Sequence, residues 1–264
     1  MNSESRALMS SQKPTIAFVH GAFAESASWN PVIDGLNHHA PVLVASHHRF
    51  GDVIAIANPL RSLAGDAAYV RDVLRSIEGP VVLVGHSYGG LVITEAAADC
   101  DTVVALVYVG AFAPDHGESA FQLSTMFPGS TLAEALTAYP VATGGNEFAI
   151  KKELFHHQFA ADVPGEQAAL MAATQRPVTQ AALSDGLPTD TPAWKHIPSW
   201  FVYGDQDLNI PTALQRFAAE RAGARGTREI AGASHAISVS QPDAVATMIL
   251  NAVAATAREP VVAT

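Results

Sequence analysis

A serine in a glycine-rich turn is the strongest chemical signal in this 264-residue chain. Residues 85–89 read Gly-His-Ser-Tyr-Gly and fit the pattern G-x-S-x-G, with Ser87 at the centre. The apolar run 81–84 before the turn predicts a buried strand, and the apolar segment after it predicts a helix. A serine held on such a turn projects its hydroxyl clear of its neighbours, near the positive end of the helix. The two glycines leave space that a Cβ would close, so Ser87 is the candidate nucleophile.

His235 is the candidate base. A serine hydroxyl is a poor nucleophile until a base takes its proton, and the base needs an acid that holds its tautomer. In the order Ser, then Asp or Glu, then His, both partners should follow late strands. His235 lies in a loop rich in small residues between the last predicted strand and the final helix. The other histidines after Ser87 fall in or near a segment that interrupts the strand–helix alternation: His116, His156, His157 and His196.

Two aspartates compete for the role of the acid. Asp205 and Asp207 both follow directly after a predicted strand. We favour Asp207, because the additional loop residues let its carboxylate turn across the sheet edge toward the histidine loop. Asp205 stands next to a glycine and is more typical of a turn-stabilising residue. The sequence alone keeps both aspartates as candidates.

The tetrahedral intermediate of acyl transfer needs two donors for its oxyanion. One is expected to be the backbone N–H of Tyr88, directly after the nucleophile. The other is expected from the turn after the first strand, where Ala22 follows His20 and Gly21. Gly21 permits the close backbone approach that such a site requires. Ala22 and Tyr88 are therefore the candidate oxyanion donors.

The elements around these residues alternate between strand and helix. This alternation predicts parallel crossover units and a doubly wound, mostly parallel sheet flanked by helices, an α/β fold. The predicted strands are 15–19, 42–45, 81–84, 103–109, 200–203 and 228–230. The predicted helices are 28–36, 66–77, the segment after Ser87, 212–222 and 242–255.

One long segment interrupts this alternation. Between residues 111 and 197 no clear strand is predicted, and seven prolines separate short helical patches. A structureless loop of this length is implausible in a compact domain, so we expect a small helical subdomain. Inserted after a central strand at the carboxyl edge of the sheet, it would cover Ser87 as a cap. The expected organisation is a core domain of residues 1–111 and 198–264, with a helical cap of residues 112–197.

Composition restricts the class of protein further. The chain is 48% hydrophobic and 15% charged, which is enough apolar material for a large core. Its net charge of −10 argues against binding to nucleic acid or to an anionic membrane. One cysteine, Cys100, leaves no internal disulfide, and the N-terminus lacks the apolar run of a signal peptide, so we expect a cytoplasmic protein.

The chemistry proposed for Ser87 requires no metal or other cofactor, and we predict none. Three histidine pairs are suggestive of a metal site, but adjacent side chains diverge and no H-E-x-x-H spacing or second cysteine supports them. These pairs are His38-His39, His47-His48 and His156-His157.

Taken together, the motifs resemble those of the α/β-hydrolase superfamily over nearly the whole chain outside the cap. They are VHGA near the start, VGHSYGG in the middle, the G-x-x-D turn at 204–207 and GASH near the end. The chain is most similar to the branch of small cofactor-free hydrolases that includes methylesterases, hydroxynitrile lyases and bacterial esterases. The resemblance implies this list of roles: Ser87 as nucleophile, His235 as base, Asp207 as acid, and Ala22 and Tyr88 as oxyanion donors.

Three functions are compatible with these residues. The first is a serine hydrolase that cleaves a small, fairly apolar carboxylic ester, lactone or thioester through an acyl-enzyme. The second is a lyase or other cofactor-free enzyme that uses the same triad as a base. Hydroxynitrile lyases of the resembling branch carry a lysine after the catalytic histidine and a threonine after the His-Gly turn, where this chain has Ala236 and Ala22. The third is a ligand-binding protein without turnover. The expected partner is a small ester-like molecule, and the oligomeric state is not predicted.

Overall fold

The computed structural model of the protein describes residues 13–39, 50–142 and 144–256. Strands in these residues form two separate sheets, one of six strands and one of three. In chain order the strands are β1 (Thr15–Val19), β2 (Val53–Ile56), β3 (Val81–His86), β4 (Val103–Val109), β5 (Leu136–Pro140), β6 (Asn146–Ile150), β7 (Val178–Thr179), β8 (Ser199–Gly204) and β9 (Gly226–Ile230).

The α-helices of the described residues separate most of these strands. Short 3₁₀ turns lie at Ser26–Trp29 and Ala193–Lys195. In chain order the α-helices are α1 (Asn30–His39), α2 (Leu63–Arg75), α3 (Gly89–Ala96), α4 (Ala120–Ser124), α5 (Leu132–Ala135), α6 (Lys152–Phe159), α7 (Gly165–Thr174), α8 (Gln180–Ser184), α9 (Thr212–Arg221), α10 (Ile237–Ser240) and α11 (Pro242–Thr256).

The large sheet is parallel throughout, with strand order β2-β1-β3-β4-β8-β9. Parallel strands need crossover connections, which the intervening helices supply. The order reverses direction next to β1, where the chain leaves toward β2 on one side and returns to β3 on the other. Ligands of open parallel sheets bind at the carboxyl ends of the strands near such a reversal.

Apolar side chains of the sheet pack on both faces. In β1, Ala17 and Val19 join a cluster that includes α2 and α3, whereas Ile16 and Phe18 join a cluster that includes α1 and α11. This alternation follows from the two-residue period of a strand. Because both faces are covered, the central strands read as continuous apolar runs.

Most elements of the core agree with the sequence predictions, with boundaries that differ by a few residues. Strand β2 at Val53–Ile56 was not predicted. The predicted strand at 42–45 lies outside the described residues. The fold class is confirmed: a parallel sheet is flanked by helices and carries an insertion after the central strand β4.

The inserted segment is only partly helical, which corrects the prediction that it contains no strand. Besides helices α4 to α8 it holds an antiparallel sheet of β5, β6 and β7. Four of the five residues of β5 are exposed, so its sequence shows no apolar run. Its partner β6 is also only half-buried along most of its length, so the hairpin of β5 and β6 leaves no apolar run in the sequence.

No helix in the described ranges is long and apolar enough to cross a membrane.

Candidate active site

The turn between β3 and α3 holds Ser87 in a strained conformation. Its φ angle is +54°, a left-handed value that is uncommon for a residue with a side chain. Strain of this kind is often found where the surrounding structure fixes a functional group. Ser87 is 7% exposed and borders a cavity.

Close backbone contacts explain the two glycines of the turn. A Cβ on Gly85 would lie 2.7 Å from the carbonyl oxygen of Gly89, and a Cβ on Gly89 would lie 2.5 Å from that of Val19. Both distances are shorter than any real Cβ contact, and both involve backbone atoms that cannot easily move. The predicted steric role of these glycines is therefore confirmed.

His235 and Asp207 form a buried pair. His235 Nδ1 and Asp207 Oδ2 are 2.7 Å apart, and both side chains are almost completely buried. Because a carboxylate accepts, Nδ1 carries the proton and Nε2 is left as the basic nitrogen. The described residues contain no hydrogen bond between His235 and Ser87 Oγ, a contact that often tightens only when substrate is bound.

The Asp207 carboxylate is held by several donors. Its Oδ1 accepts from the backbone N–H groups of Asn209, at 2.8 Å, and Ile210, at 2.9 Å. Its Oδ2 also accepts from Gln215 Nε2 at 3.1 Å. These contacts fix the orientation of the carboxylate toward the imidazole of His235. Asn209 and Gln215 were not singled out in the sequence, which gave no local motif for either.

Asp205 has a different set of contacts. Its Oδ1 accepts from the backbone N–H of Gly232 at 2.7 Å, in the loop after β9. It therefore stabilises the loop that leads to His235, and within the described residues it forms no hydrogen bond to the imidazole. Of the two candidate acids, the structure brings only Asp207 to the histidine.

Two aromatic rings enclose the imidazole of His235. The Phe159 ring meets it edge-on with centroids 4.9 Å apart, and the His86 ring lies at 4.7 Å. His86 Nε2 donates to the His235 carbonyl at 3.0 Å, while the N–H of Ala236 donates to the Phe159 carbonyl at 2.9 Å. The inserted segment, through Phe159, thus helps to position the histidine loop.

Burial keeps two further histidines of the site neutral. Burial lowers the pKa of His20 to about 4, and burial followed by the nearby His235 holds the pKa of His86 well below its usual value. His20 Nδ1 donates to the carbonyl of Gly21 at 2.9 Å, and its Nε2 accepts from the Asn58 N–H at 3.0 Å. His20 therefore fixes the turn that carries Ala22, a role that the bare His-Gly motif did not reveal.

Both candidate oxyanion donors border the same space as Ser87. Ala22 and Tyr88 are buried in the protein, and both line the cavity. Neither backbone N–H is paired with an acceptor in the part of the chain that the structure describes. Because buried N–H groups are almost always paired, two such donors beside a nucleophile are typical of an oxyanion hole.

A cavity of about 340 Å³ opens over these groups. Its wall is largely apolar and comes mostly from residues 112–136 of the inserted segment. None of its lining residues in the described ranges is charged. They include Phe23, Phe112, Phe121, Phe127, Leu132, Leu136, Leu183 and Ile210, with the polar side chains of Ser124, Thr125, Ser130 and Asn209.

The lysines of the inserted segment do not line the cavity, and the described residues form no metal-binding group. Lys151 Nζ donates to the carbonyl of Glu134 at 3.0 Å, and neither Lys151 nor Lys152 lines the cavity. Within the described ranges no three His, Cys, Asp or Glu side chains are grouped so that they could hold a metal ion. His47 and His48 lie outside those ranges.

Asp66 is a further residue near the site that the sequence motifs did not identify. Its carboxylate accepts from the Tyr88 phenol at 2.9 Å and is fully buried. A signal was present, because Asp66 falls on the apolar face of α2 with Leu63, Ala67 and Val70. A lone carboxylate on a buried helical face indicates a specific partner.

Comparison with known proteins finds similar sequences and a similar fold among hydrolases. A 60-residue stretch is 48% identical to the carbendazim hydrolyzing esterase of Nocardioides sp. (strain SG-4G), covering 21% of this chain and only 25% of that protein. Over 188 residues the chain is 28% identical to the alpha/beta hydrolase nvfD of Aspergillus novofumigatus (strain IBT 16806), covering 65% and 69% of the two chains. The crystal structure of polyneuridine aldehyde esterase superposes with a TM-score of 0.73 at 19% identity, over 91% of this chain and 99% of that one, which shows a shared fold.

The profile of the alpha/beta hydrolase family matches residues 16–248, from the first strand to the last helix. This range contains the serine turn, the buried His–Asp pair and the two unpaired backbone donors. The protein is therefore a member of the alpha/beta hydrolase family.

Proposed function

We propose that the protein is a serine hydrolase that cleaves a small, fairly apolar carboxylic ester through an acyl-enzyme on Ser87. The observation that carries the proposal is the buried 2.7 Å contact between His235 and Asp207, together with the strained Ser87 in the wall of the cavity. Two proteins that the chain resembles are named as esterases, which supports the same reaction class.

The first half of the reaction forms the acyl-enzyme. His235 Nε2 takes the proton of Ser87 Oγ as the oxygen attacks the ester carbonyl carbon. The carbonyl oxygen becomes an oxyanion, which accepts hydrogen bonds from the N–H groups of Ala22 and Tyr88. Asp207 stabilises the imidazolium that forms. When the C–O bond breaks, the imidazolium gives its proton to the departing alkoxide, which leaves as an alcohol.

The second half repeats this chemistry with water. His235 takes a proton from water as the water oxygen attacks the acyl carbon. Collapse of the second tetrahedral intermediate breaks the bond to Ser87 Oγ, which recovers its proton from His235. The products are one carboxylic acid and one alcohol, and no cofactor takes part in either step.

The lining of the cavity favours an apolar substrate that carries no net charge near the reacting carbon. Its aromatic and aliphatic wall favours burial of a hydrocarbon acyl or alcohol group, and its described lining holds no ion-pairing partner. We propose that residues 112–197 act as the cap that supplies this wall, and that residues 1–111 and 198–264 form the catalytic core.

The lyase alternative has less support. A departing cyanide needs a cation, but Ala236 follows the histidine, and two candidate cations of the inserted segment, Lys151 and Lys152, do not line the cavity. The test is an assay of purified protein against p-nitrophenyl acetate, p-nitrophenyl butyrate and mandelonitrile, with Ser87→Ala as control. We expect ester cleavage that the substitution abolishes, and little or no cyanide release. Robust cyanide release without ester cleavage would overturn the proposal.

A further inference from the structure

The side chain of Tyr88 points away from its proposed catalytic backbone atom and ends at a carboxylate. Its phenol oxygen donates to Asp66 Oδ2 at 2.9 Å, and both residues are almost completely buried. Asp66 lies in the first turn of α2, so this contact joins the helix next to the sheet with the turn that carries Ser87.

Asp66 is itself held firmly. Its two carboxylate oxygens accept from the backbone N–H of Arg61, at 3.0 and 3.2 Å. The Arg61 guanidinium in turn donates to the carbonyl of Pro177 at 3.0 Å and forms an ion pair with Glu147. Arg61 therefore connects the Asp66 carboxylate, through its backbone N–H, with the inserted segment, through its guanidinium.

The protonation states of Tyr88 and Asp66 favour a strong, directional hydrogen bond between them. Burial, followed by the neighbouring Asp66, raises the pKa of Tyr88 well above its usual value, so the phenol keeps its proton. Burial also raises the pKa of Asp66, while the N–H of Arg61 and the phenol oppose that shift. A hydrogen bond from a neutral donor to a buried carboxylate is shorter and stronger than one between two neutral groups.

We propose that Asp66 is a positioning residue that fixes the oxyanion-stabilising N–H of Tyr88 through the phenol of that residue. The inference rests on the proposed function. Tyr88 directly follows Ser87, whose backbone is strained, and directly precedes α3, so rotation of one peptide plane changes the direction of this N–H. A rigid aromatic side chain anchored at its far end restrains that rotation. Support of this kind around a donor is what preorganises an oxyanion hole.

The protein contains a matched control for a purely structural role. Tyr108 is fully buried in the same apolar cluster, and its phenol oxygen lies 2.8 Å from Thr94 Oγ1. No hydrogen bond within the described residues joins Tyr108 to Ala22 or Tyr88. Tyr108→Phe therefore removes a comparable buried hydroxyl from the core without releasing Tyr88.

The experiment compares kcat and KM for p-nitrophenyl butyrate in the wild type, Tyr88→Phe and Tyr108→Phe. It also measures Ki for an alkyl trifluoromethyl ketone, whose adduct with Ser87 places an oxyanion at the two donors. For Tyr88→Phe we expect kcat to fall about tenfold and Ki to rise by a similar factor, with KM within about twofold. For Tyr108→Phe we expect kcat and Ki to remain near the wild-type values, although the Tm of this variant falls.

A second variant tests whether Asp66 acts through the phenol. Asp66→Asn should lower kcat on its own but add little to the loss in a Tyr88→Phe background, because the two residues then act as one unit. Additive losses would overturn the proposal. It would also be overturned if Tyr88→Phe left kcat and Ki unchanged, or if it changed only KM. The same conclusion would follow if kcat fell no further in Tyr88→Phe than in Tyr108→Phe. A wild type without ester cleavage would overturn the proposed function itself, which is a different result.

Discussion

At the scale of single residues, the proposed mechanism gives the proton of Ser87 one destination, Nε2 of His235. We therefore expect Ser87→Ala and His235→Ala each to lower kcat by about 10⁴- to 10⁶-fold, because the remaining members of a triad cannot act alone. Asp207→Asn should cost somewhat less, since the imidazole keeps its place. Steady-state hydrolysis of p-nitrophenyl butyrate measures all three variants.

Asp205→Asn is the matched control for the acid. Asp205 shares the loop but contacts the backbone of Gly232, so its substitution should affect activity far less than Asp207→Asn. A larger loss of kcat in Asp205→Asn than in Asp207→Asn would show that the acid is assigned wrongly. One-tenth of wild-type activity in Ser87→Ala would contradict the mechanism as a whole.

His20 makes stability depend on pH. Its pKa is about 4 in the folded protein and 6.5 as an unperturbed side chain, so below pH 6.5 the unfolded chain binds the extra proton first. The contribution of His20 is fully present above pH 6.5 and is lost as pH falls toward 4, by about 3 kcal/mol in total. The free energy of unfolding of His20→Gln, measured with denaturant between pH 7 and 4.5, should fall less steeply with decreasing pH than that of the wild type. Equal slopes would show that His20 is not buried as a neutral group.

The sequence identified residues whose neighbours form a motif, and missed those defined by long-range contacts. Ser87 is recognisable from the glycines at fixed spacing, and His235 from its late loop. Gln215 is brought to the site by packing of its helix, so no local spacing marks it. The apolar spacing of α2 marks Asp66 as buried but does not reveal its partner, Tyr88. The choice between Asp205 and Asp207 depended in the same way on a contact across the sheet edge.

At the scale of elements, helix α3 lies so close to the segment that follows β4 that position 90 must be glycine. A Cβ on Gly90 would lie 2.0 Å from the carbonyl oxygen of Phe112, whose backbone N–H donates to the Ser87 carbonyl. Gly90→Ala should therefore destabilise the protein by about 2 kcal/mol or more and lower esterase activity, because the turn must shift. Thermal unfolding and ester hydrolysis measure the two effects.

Gly165→Ala serves as the control for Gly90→Ala. Gly165 also lies in the first turn of a helix, but its added Cβ would meet only His156, at 3.9 Å. Alanine favours helix more than glycine does, so this variant should be neutral or slightly stabilising. Equal losses of stability and of esterase activity in Gly90→Ala and Gly165→Ala would contradict the steric explanation.

Elements of the core were more predictable than those of the inserted segment. Strands such as β3 and β4 are buried on both faces, which produces continuous apolar runs that the sequence displays. Strands β5 and β6 are mostly exposed or half-buried and gain their regularity from pairing with each other. Their short, mixed sequences resemble those of loops, so the helical prediction for this segment was incomplete.

At the scale of the whole molecule, the size of the cavity should limit the substrate. About 340 Å³ suits a short acyl chain. We expect kcat/KM for p-nitrophenyl esters to fall as the acyl chain outgrows this volume. Leu132 lines the cavity, so Leu132→Ala should shift the preference toward longer chains.

Leu170→Ala is the matched control for this enlargement. Leu170 is 68% exposed and does not line the cavity over Ser87, so its truncation should leave the chain-length profile unchanged. If both leucine variants shifted the profile equally, or if neither did, the cavity would not be the acyl site.

The order of strands and helices was sufficient to predict the architecture, because parallel crossover units have few arrangements. The shape of the substrate site was not predictable in this way. It depends on how residues 112–136 fold over the carboxyl edge of the sheet, and their apolar side chains do not specify that arrangement by spacing.

The most direct test of the central claim is mass spectrometry of the protein after reaction with a fluorophosphonate probe. An activated serine attacks phosphorus and displaces fluoride, so the account predicts one adduct, on Ser87, whose formation slows by orders of magnitude in His235→Ala. Labelling at another residue, or equally fast labelling of Ser87 without His235, would contradict the account.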